Sequence, residues 1–218
     1  IAWIGMMLVD PEYQRRGIAT RLMNHAMARL GPEITVKLDA TPLGRTVYER
    51  LGFTGEYGIC RMMADAPVHD DTYPTDVSPV SPGHMAGIEM IDSIAFGARR
   101  LAVLNSLLRN SPGLAWKCSR HDRLTGYCMG RPGASFWQVG PIIARCADDA
   151  AGLTHAALNT IPGCAAVIDV PEKQDEFLRR LRAWGFIEQR KLIRMYRGNN
   201  VYHGKPDRVF AITGPELG

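Results

Sequence analysis

The stretch that decides the interpretation covers residues 9–20 and reads Val-Asp-Pro-Glu-Tyr-Gln-Arg-Arg-Gly-Ile-Ala-Thr. It follows an apolar run, residues 1–10, which suits a buried strand, and it leads into an amphipathic helix predicted over 18–30. A loop that opens a helix presents free backbone N–H groups and the positive end of the helix dipole to an anion. Gly17 allows close approach of a phosphate, and two arginines add charge. We therefore predict an anion-binding loop rather than a solvated loop.

The elements after this loop indicate strands joined by helical crossovers. A second strand is predicted at 34–40, followed by a short helix from Pro42 to Leu51, because proline suits a first helical turn. Gly52 can end that helix in the left-handed conformation. Strand, helix, strand and helix in succession imply parallel strands with right-handed crossovers.

Composition divides the chain into two predicted units of an α/β (α+β) fold, residues 1–66 and residues 84–218. Residues 67–83 are rich in proline and polar side chains and are predicted to be a linker. In the second unit we predict helices at 84–95, 98–110, 147–159 and 172–184, and strands at 114–119, 124–130, 135–144, 164–170, 187–197 and 207–213.

The two units share a short internal sequence repeat. Residues 38–42 (Leu-Asp-Ala-Thr-Pro) precede a predicted helix that ends in Leu-Gly-Phe at 51–53. Residues 168–171 (Ile-Asp-Val-Pro) precede one that ends in Trp-Gly-Phe at 184–186. If both units have one fold, the first lacks the elements that the second carries at 84–130.

The chain begins with Ile1 inside a predicted strand and without an initiator methionine, so we expect residues upstream to be missing. A strand at that position leaves a sheet edge unpaired, and either missing chain or a partner subunit should cover it. A homodimer is one arrangement that would do so.

Composition argues against several classes of protein. The net charge of +4 over 218 residues is spread along the chain, so nucleic acid is not an expected partner. No apolar run approaches the roughly 20 residues that span a bilayer, and no signal peptide is recognisable, so a cytoplasmic protein without a membrane partner is predicted. The five cysteines form no C-x-x-C pair and the six histidines no H-E-x-x-H, so a bound metal is not expected.

The order of strand, Q/R-x-x-G-x-G/A loop, helix, strand and short helix resembles the GNAT superfamily of acetyl-CoA-dependent N-acetyltransferases. Gln14, Gly17 and Ala19 match its loop positions, and residues 48–53 (Tyr-Glu-Arg-Leu-Gly-Phe) match its later motif. The resemblance implies two GNAT-like units, each part of a mixed central sheet flanked by helices. It also implies that the first unit is truncated, lacking its N-terminal strands, and that the second is degenerate.

The resemblance implies acetyl-CoA as the cofactor and an amine of a small molecule or peptide as the acceptor. Backbone groups of two residues before the loop would line the pantetheine arm, and the amides of 15–20 would hold the pyrophosphate. The implied cofactor-binding residues are Leu8, Val9, Gln14, Arg15, Arg16, Gly17, Ile18, Ala19, Thr20, Thr41 and Arg45. Many members carry asparagine and then alanine where this chain has Thr41 and Gly44, although a threonine hydroxyl can still hydrogen-bond the cofactor.

Tyr48 falls where the family places a general acid, which would protonate the departing CoA thiolate. A phenol with a pKa of about 10 suits that task. The alternative is that Tyr48 only packs its helix against the sheet. The general base is not identified. Asp39 and Asp169 are candidates for a base or an amine anchor, and helix capping is their alternative role.

The second unit lacks these features. Leu181 aligns with Tyr48, and Asp148 and Asp149 stand where the first unit has two arginines. Carboxylates at a helix start repel a pyrophosphate, so a cofactor site is predicted in the first unit only. Two other functions stay open: a non-catalytic acyl-CoA-binding or regulatory module, and a protein-interaction platform.

Overall fold

One ten-stranded sheet with six helices makes up the part of the chain that the computed structural model describes, residues 1–67, 76–121 and 123–218. The helices are α1 (Ile18–Leu30), α2 (Pro42–Arg50), α3 (Met85–Phe96), α4 (Leu101–Asn110), α5 (Ala147–Leu158) and α6 (Asp175–Ala183). The strands are β1 (Ala2–Trp3), β2 (Val36–Ala40), β3 (Thr54–Ala64), β4 (Val77–Pro79), β5 (Trp116–Arg120), β6 (Arg123–Pro132), β7 (Trp137–Ile143), β8 (Ala166–Pro171), β9 (Ile187–Arg197) and β10 (Val209–Ala211).

The sheet is mixed and helices flank it, which confirms the predicted fold class. Its strand order is β1-β2-β9-β3-β8-β7-β6-β5-β4, with β10 paired to β7 off this path. β1 runs parallel to β2 and β7 runs parallel to β8, whereas the other pairs are antiparallel.

The helices cover both faces of the sheet because the strands alternate their apolar side chains. On β3, Cys60 and Met62 join the core that contains α5 and α6, whereas Ile59 faces the core that contains α3 and α4. Helix α1 lies on the α5 and α6 side, where Met23 packs against Leu38 of β2. We call these the α1 face and the α3 face.

The two halves of the chain exchange their long strands in the middle of the sheet. β9 lies between β2 and β3, and β3 lies between β9 and β8. These four strands lie in the order β2-β9-β3-β8. If β2 is exchanged with β8 and β3 with β9, the same order is obtained when the sheet is read from its other end, so the two halves contribute equivalent strands. The predicted ranges 1–66 and 84–218 are therefore interleaved through one sheet.

The structure differs from the prediction in the first ten residues and at β3. Only Ala2–Trp3 of residues 1–10 is a strand, and Met6 (φ 56°) and Leu8 are 72% and 76% exposed, so the predicted buried strand was wrong beyond Trp3. The apolar composition misled because the chain leaves the sheet after Ile4. No strand was predicted at β3, because Gly55, Gly58 and Arg61 interrupt its apolar pattern.

The predicted linker, residues 67–83, falls only partly within the described residues, because 68–75 lie outside them. Its described end contains β4, which pairs with β5 at the sheet edge through Val77 and Cys118. An edge strand tolerates proline and polar residues, which explains why composition did not reveal it.

Candidate active site

A gap opens between β1 and β2 where the two parallel strands stop pairing. Their last backbone hydrogen bond runs from the Ile4 N–H to the Lys37 carbonyl, 2.9 Å, while β2 continues to Ala40. Residues 5–9 then leave the sheet without a strand partner among the described residues. Their backbone N–H and C=O groups can therefore pair with an extended ligand, as at any open strand edge.

The loop after this gap forms an uncapped helix start. Gly17 is the N-cap of α1 with a left-handed φ of 70°, which favours glycine, and no described side chain caps the helix. The first intrahelical bond is donated by the Arg21 N–H to the Gly17 carbonyl, so the amides of residues 18–20 have no acceptor within the helix. Arg15 and Arg16 are exposed beside them. This arrangement can bind an anion.

Gln14 connects the loop to the end of the gap. Its Nε2 donates to the Val9 carbonyl, 3.1 Å, so this carbonyl already accepts one hydrogen bond, whereas the N–H of Val9 donates none among the described residues. Leu8 is exposed next to it. This hydrogen bond joins the segment of residues 8–9 to the start of the loop of residues 14–20.

Thr41 and Arg45 are engaged within α2. Thr41 is the N-cap, and its hydroxyl oxygen accepts a hydrogen bond from the Gly44 N–H, 3.2 Å. The Arg45 Nε donates to Glu49 Oε1, 2.6 Å, at the surface. Neither side chain contacts the residues of the loop in the described hydrogen bonds and ion pairs.

Tyr48 lies half-buried on α2. Its ring meets Phe53 edge-on with centroids 6.0 Å apart, so it does pack the helix against the α1-face core. Its hydroxyl has no hydrogen-bond partner among the described residues, and burial raises its pKa above the ordinary value of 10.0. The hydroxyl therefore keeps its proton and is free to donate it.

A small cavity of about 10 Å³, enough for about one water molecule, lies on the α3 face of the same strands. Trp3 of β1 faces it, while Ile4 packs in the α1-face core, so cavity and loop lie on opposite sides of β1. Guanidinium groups cover two aromatic rings here: Arg194 lies 4.6 Å from the Trp3 ring and Arg100 lies 3.9 Å from the Phe96 ring. Sequence reasoning missed Trp3, Phe96, Arg100 and Arg194, because no local pattern brings them together.

The cations around this cavity are each paired with one carboxylate. Asp92 binds Arg100 in a bidentate pair at 2.8 and 2.9 Å and also accepts from the Tyr127 hydroxyl, 2.5 Å. Lys37 binds Glu56, 2.9 Å. The cavity is therefore nearly charge-balanced and walled by aromatic rings.

Asp39 and Asp169 hold arginines across the two halves of the chain. Arg194 of β9 binds both oxygens of Asp39 at 3.0 Å, and Arg61 of β3 binds both oxygens of Asp169 at 2.8 Å. Both carboxylates are fully buried. Burial raises the pKa of the Asp39 carboxyl and Arg194 opposes that rise. As bases or amine anchors these two residues were poor candidates, because their oxygens are already occupied.

The corresponding gap of the second half, between β7 and β8, is filled by the chain itself. β10 pairs with β7 through Val209 and Ile143, and the Ile212 N–H donates to the Asp169 carbonyl on β8, 2.9 Å. A Cβ on Gly140 of β7 would lie 2.1 Å from the Ile212 carbonyl oxygen, so only glycine allows this approach.

At the start of α5, Asp148 pairs with Arg180, 2.5 Å, and Asp149 with Arg120, 2.7 Å. These carboxylates lie in the first turn of α5 without capping it, at the place where the first half has exposed arginines. Every helix among the described residues is too short or too polar to span a bilayer. No group of His, Cys, Asp and Glu within those ranges could hold a metal ion.

Comparison with known proteins adds the following. A family model described as an acetyltransferase (GNAT) domain matches residues 88–211, and a second model with the same description matches residues 2–57. The uncharacterized N-acetyltransferase YitH of Bacillus subtilis (strain 168) is 26% identical over 184 residues, which are 84% of this chain and 65% of YitH. The chain thus spans less than two thirds of that relative's length.

Two solved structures are similar in fold. A putative acetyltransferase from Pyrococcus horikoshii has a TM-score of 0.77 at 24% identity, covering 99% of this chain and 72% of its own. A GCN5-related N-acetyltransferase from Sphaerobacter thermophilus has a TM-score of 0.59 at 15% identity, covering 90% of this chain and 72% of its own.

Proposed function

We propose, from the premise that the chain belongs to the GNAT acetyltransferase family, that it transfers an acetyl group from acetyl-CoA to an amine of a small molecule or peptide. The observation that carries the proposal is the open gap after Ile4 beside the uncapped start of α1. A strand edge and an anion-binding loop at one opening suit a ligand that has an extended arm and a pyrophosphate.

The residues present fit such a ligand. The amides of 15–20, with Arg15 and Arg16, would hold the pyrophosphate, and the N–H of Val9 would bind the pantetheine arm. Leu8 and Gln14 would border the arm, and the hydroxyl of Thr41 keeps a proton to donate. When bound, acetyl-CoA supplies an activated thioester.

Tyr48 is proposed as the general acid. Its hydroxyl is unpartnered among the described residues and stays protonated because burial raises its pKa, so it can give its proton to the leaving thiolate. Its packing against Phe53 orients the ring and is compatible with this role.

The amine acceptor is proposed to enter from the α3 face, where Trp3 borders the cavity on the other side of β1 from the loop. An amine there would not displace a ligand from the α1 face, but to reach the gap after Ile4 it must displace the C-terminal residues, because the Trp3 Nε1 donates to the Pro215 carbonyl, 2.9 Å, and Gly5 lies against Glu216. Separating the acceptor from the cofactor by the sheet lets each bind from its own side.

The tandem arrangement with a degenerate second half also belongs to this proposal. β10 fills the gap after β7, and carboxylates stand at the start of α5, so we assign one cofactor site to the chain. A cytoplasmic location and a homodimer stay predictions.

One observation favours the second candidate, a non-catalytic acyl-CoA-binding module. The acceptor-side cavity measures about 10 Å³ and its cations are already paired, so an amine needs a rearrangement to enter. A module of this kind would bind the cofactor without turnover.

The test combines calorimetry with acetyl-CoA and an assay for released thiol over a panel of amines and peptides. Acetyl-CoA binding with one site per chain, and thiol release that depends on an amine, would support the enzyme. Binding without release for any amine would favour the binding module. If neither CoA nor acetyl-CoA binds or raises Tm, both proposals fail and an interaction platform is favoured.

A further inference from the structure

A second, larger pocket lies on the α3 face, away from the loop of residues 14–20. It encloses about 280 Å³ between α3, the start of β6, the end of β7 and the segment before β10. Ligand pockets typically have about 300–1,000 Å³, so this one suits a small molecule. The pocket lies beside β10, the strand that pairs with β7 and fills the second half's counterpart of the gap after Ile4.

The floor of this pocket is apolar. Ile91 and Ile94 of α3, Leu124 of β6 and Ile143 of β7 line it. Ile94 is 52% exposed, although a protein gains about 25 cal/mol for each Å² of apolar surface removed from water. An apolar ligand would bury this surface.

The rim is basic. Arg145, Lys205 and Arg208 line the pocket, and no carboxylate is among its described lining residues. The side chains of Arg145 and Lys205 have no hydrogen bond or ion pair with any residue that the structure describes. Arg208 has only a 3.8 Å contact with Asp207, which is itself exposed. Two cations without an acidic partner, beside a third whose carboxylate is 3.8 Å away, favour an anion.

We propose that this pocket binds a small amphipathic anion, a carboxylate that carries an apolar chain. The chain would lie on the isoleucine and leucine floor, and the carboxylate would face Arg145 and Lys205 at the rim. This site does not depend on acetyl transfer, because none of its residues belongs to the proposed cofactor site and only Ala95 also lines the acceptor-side cavity.

Octanoate is the probe, titrated into the full chain by calorimetry in the presence of saturating CoA. We expect one binding event that octylamine, with the same chain length and the opposite charge, does not produce. Acetate, which has the carboxylate without the chain, should not bind either. Equal binding of octylamine, or no binding of octanoate, would overturn the proposal.

Two variants locate the site. The double variant Arg145→Glu/Lys205→Glu should weaken octanoate binding about tenfold or more, since it replaces two attractive charges by two repulsive ones. Ile94→Asp should also weaken octanoate binding, because it places a negative charge in the apolar floor of the pocket. Arg109→Glu, an exposed change on α4 outside the pocket, is the matched control and should leave binding unchanged. Unchanged binding in both pocket variants would place octanoate elsewhere and refute the assignment.

The same titration separates this site from the proposed function. Octanoate binding should persist in Arg15→Glu/Arg16→Glu, in which acetyl-CoA binding is expected to be lost. If octanoate binding is lost with acetyl-CoA binding in that variant, the fatty chain occupies the cofactor groove and the separate pocket is refuted.

Discussion

The gap after β1 and the gap after β7 stand at equivalent places in the two halves of the chain, yet only the first is open. After Ile4 the chain leaves the sheet and no described strand takes its place, whereas β10 pairs with β7 and reaches β8 through Ile212. The same topology can therefore present a ligand groove or close it with a strand of its own. What differs is one short strand, β10, and not the architecture.

The helix that follows each gap, α1 in the first half and α5 in the second, also differs between the halves in the charge at its start. The start of α1 has a glycine N-cap and exposed arginines, and the start of α5 has Asp148 and Asp149 paired with arginines. In the first half the strand gap is open and the helix start is cationic. In the second half the gap is filled by β10 and the helix start carries carboxylates, so the gap and the helix start agree in each half. The agreement supports one cofactor site per chain.

The largest expected effect concerns Tyr48, whose counterpart Leu181 has no hydroxyl. Tyr48→Phe keeps the ring that packs on Phe53 and removes only the proton donor, so kcat should fall about 100- to 10,000-fold with little change in KM. Steady-state thiol release measures this, and the exposed Tyr13→Phe is the control. An unchanged kcat would contradict the role of Tyr48 as general acid and would show that the side chain only packs against Phe53.

The pH dependence gives a second measurement of the same group. An acid whose pKa is raised keeps its proton to higher pH, so the alkaline limb that Tyr48 contributes to kcat/KM should lie above pH 10.0. This limb should be missing in the variant. A limb that stays in Tyr48→Phe belongs to another group.

The buried ion pairs Asp39–Arg194 and Asp169–Arg61 join the exchanged strands, and comparing them tests whether both contribute equally to stability. Asp39→Asn and Asp169→Asn each leave a buried arginine without its carboxylate, which should lower the free energy of unfolding by about 3–5 kcal/mol. Urea denaturation measures both, with the exposed Asp207→Asn as control. A large loss in only one of the two variants would show that the pairs are not equivalent.

The loop of residues 14–20, the proposed cofactor loop, should show a somewhat smaller effect. Arg15→Glu/Arg16→Glu reverses two charges beside the free amides of α1 and should weaken acetyl-CoA binding on the order of a hundredfold. Arg145→Glu, just before α5 in the second half, is the matched control and should not change this affinity. Persistent binding in the double variant would move the cofactor away from residues 14–20.

The smallest effect is expected where β10 fills the second gap. Gly140→Ala places a Cβ 2.1 Å from the Ile212 carbonyl oxygen, so β10 must shift and the free energy of unfolding should fall by about 1–3 kcal/mol. Gly113→Ala, where an added Cβ meets nothing within 4 Å, is the control. Equal stability of the two variants would show that β10 does not press against β7.

Much of the fold was predictable because its signals are local. The helix predicted over 18–30 is α1, and the helix predicted from Pro42 to Leu51 is α2 within one residue, since glycine and proline mark their ends. β3 was not predictable, because its glycines and Arg61 are explained only by its neighbours. Gly58 lies against Glu172, and Arg61 pairs with Asp169.

The candidate site divides in the same way. Residues 14–20 could be proposed as part of a site because one contiguous motif contains them. The aromatic cavity could not, because Trp3, Phe96 and Arg194 are brought together only by the exchanged strands. The gap after Ile4 was also hidden, since an apolar run does not show where its partner strand ends.

The exchange of β3 and β9 has a consequence for how the protein reaches its native state. Asp39 and Arg194 are 155 residues apart, so β2, which pairs with the nearby β1 on one side, gains β9 on its other side only when almost the whole described sequence is available. Contacts of such long range slow folding, because a large loop must close before any of them forms. The loop of residues 14–20 precedes β3 and β9 in the sequence, yet the sheet beside it is complete only when both of these strands have formed. On a ribosome, the first half would wait for the second before it could act.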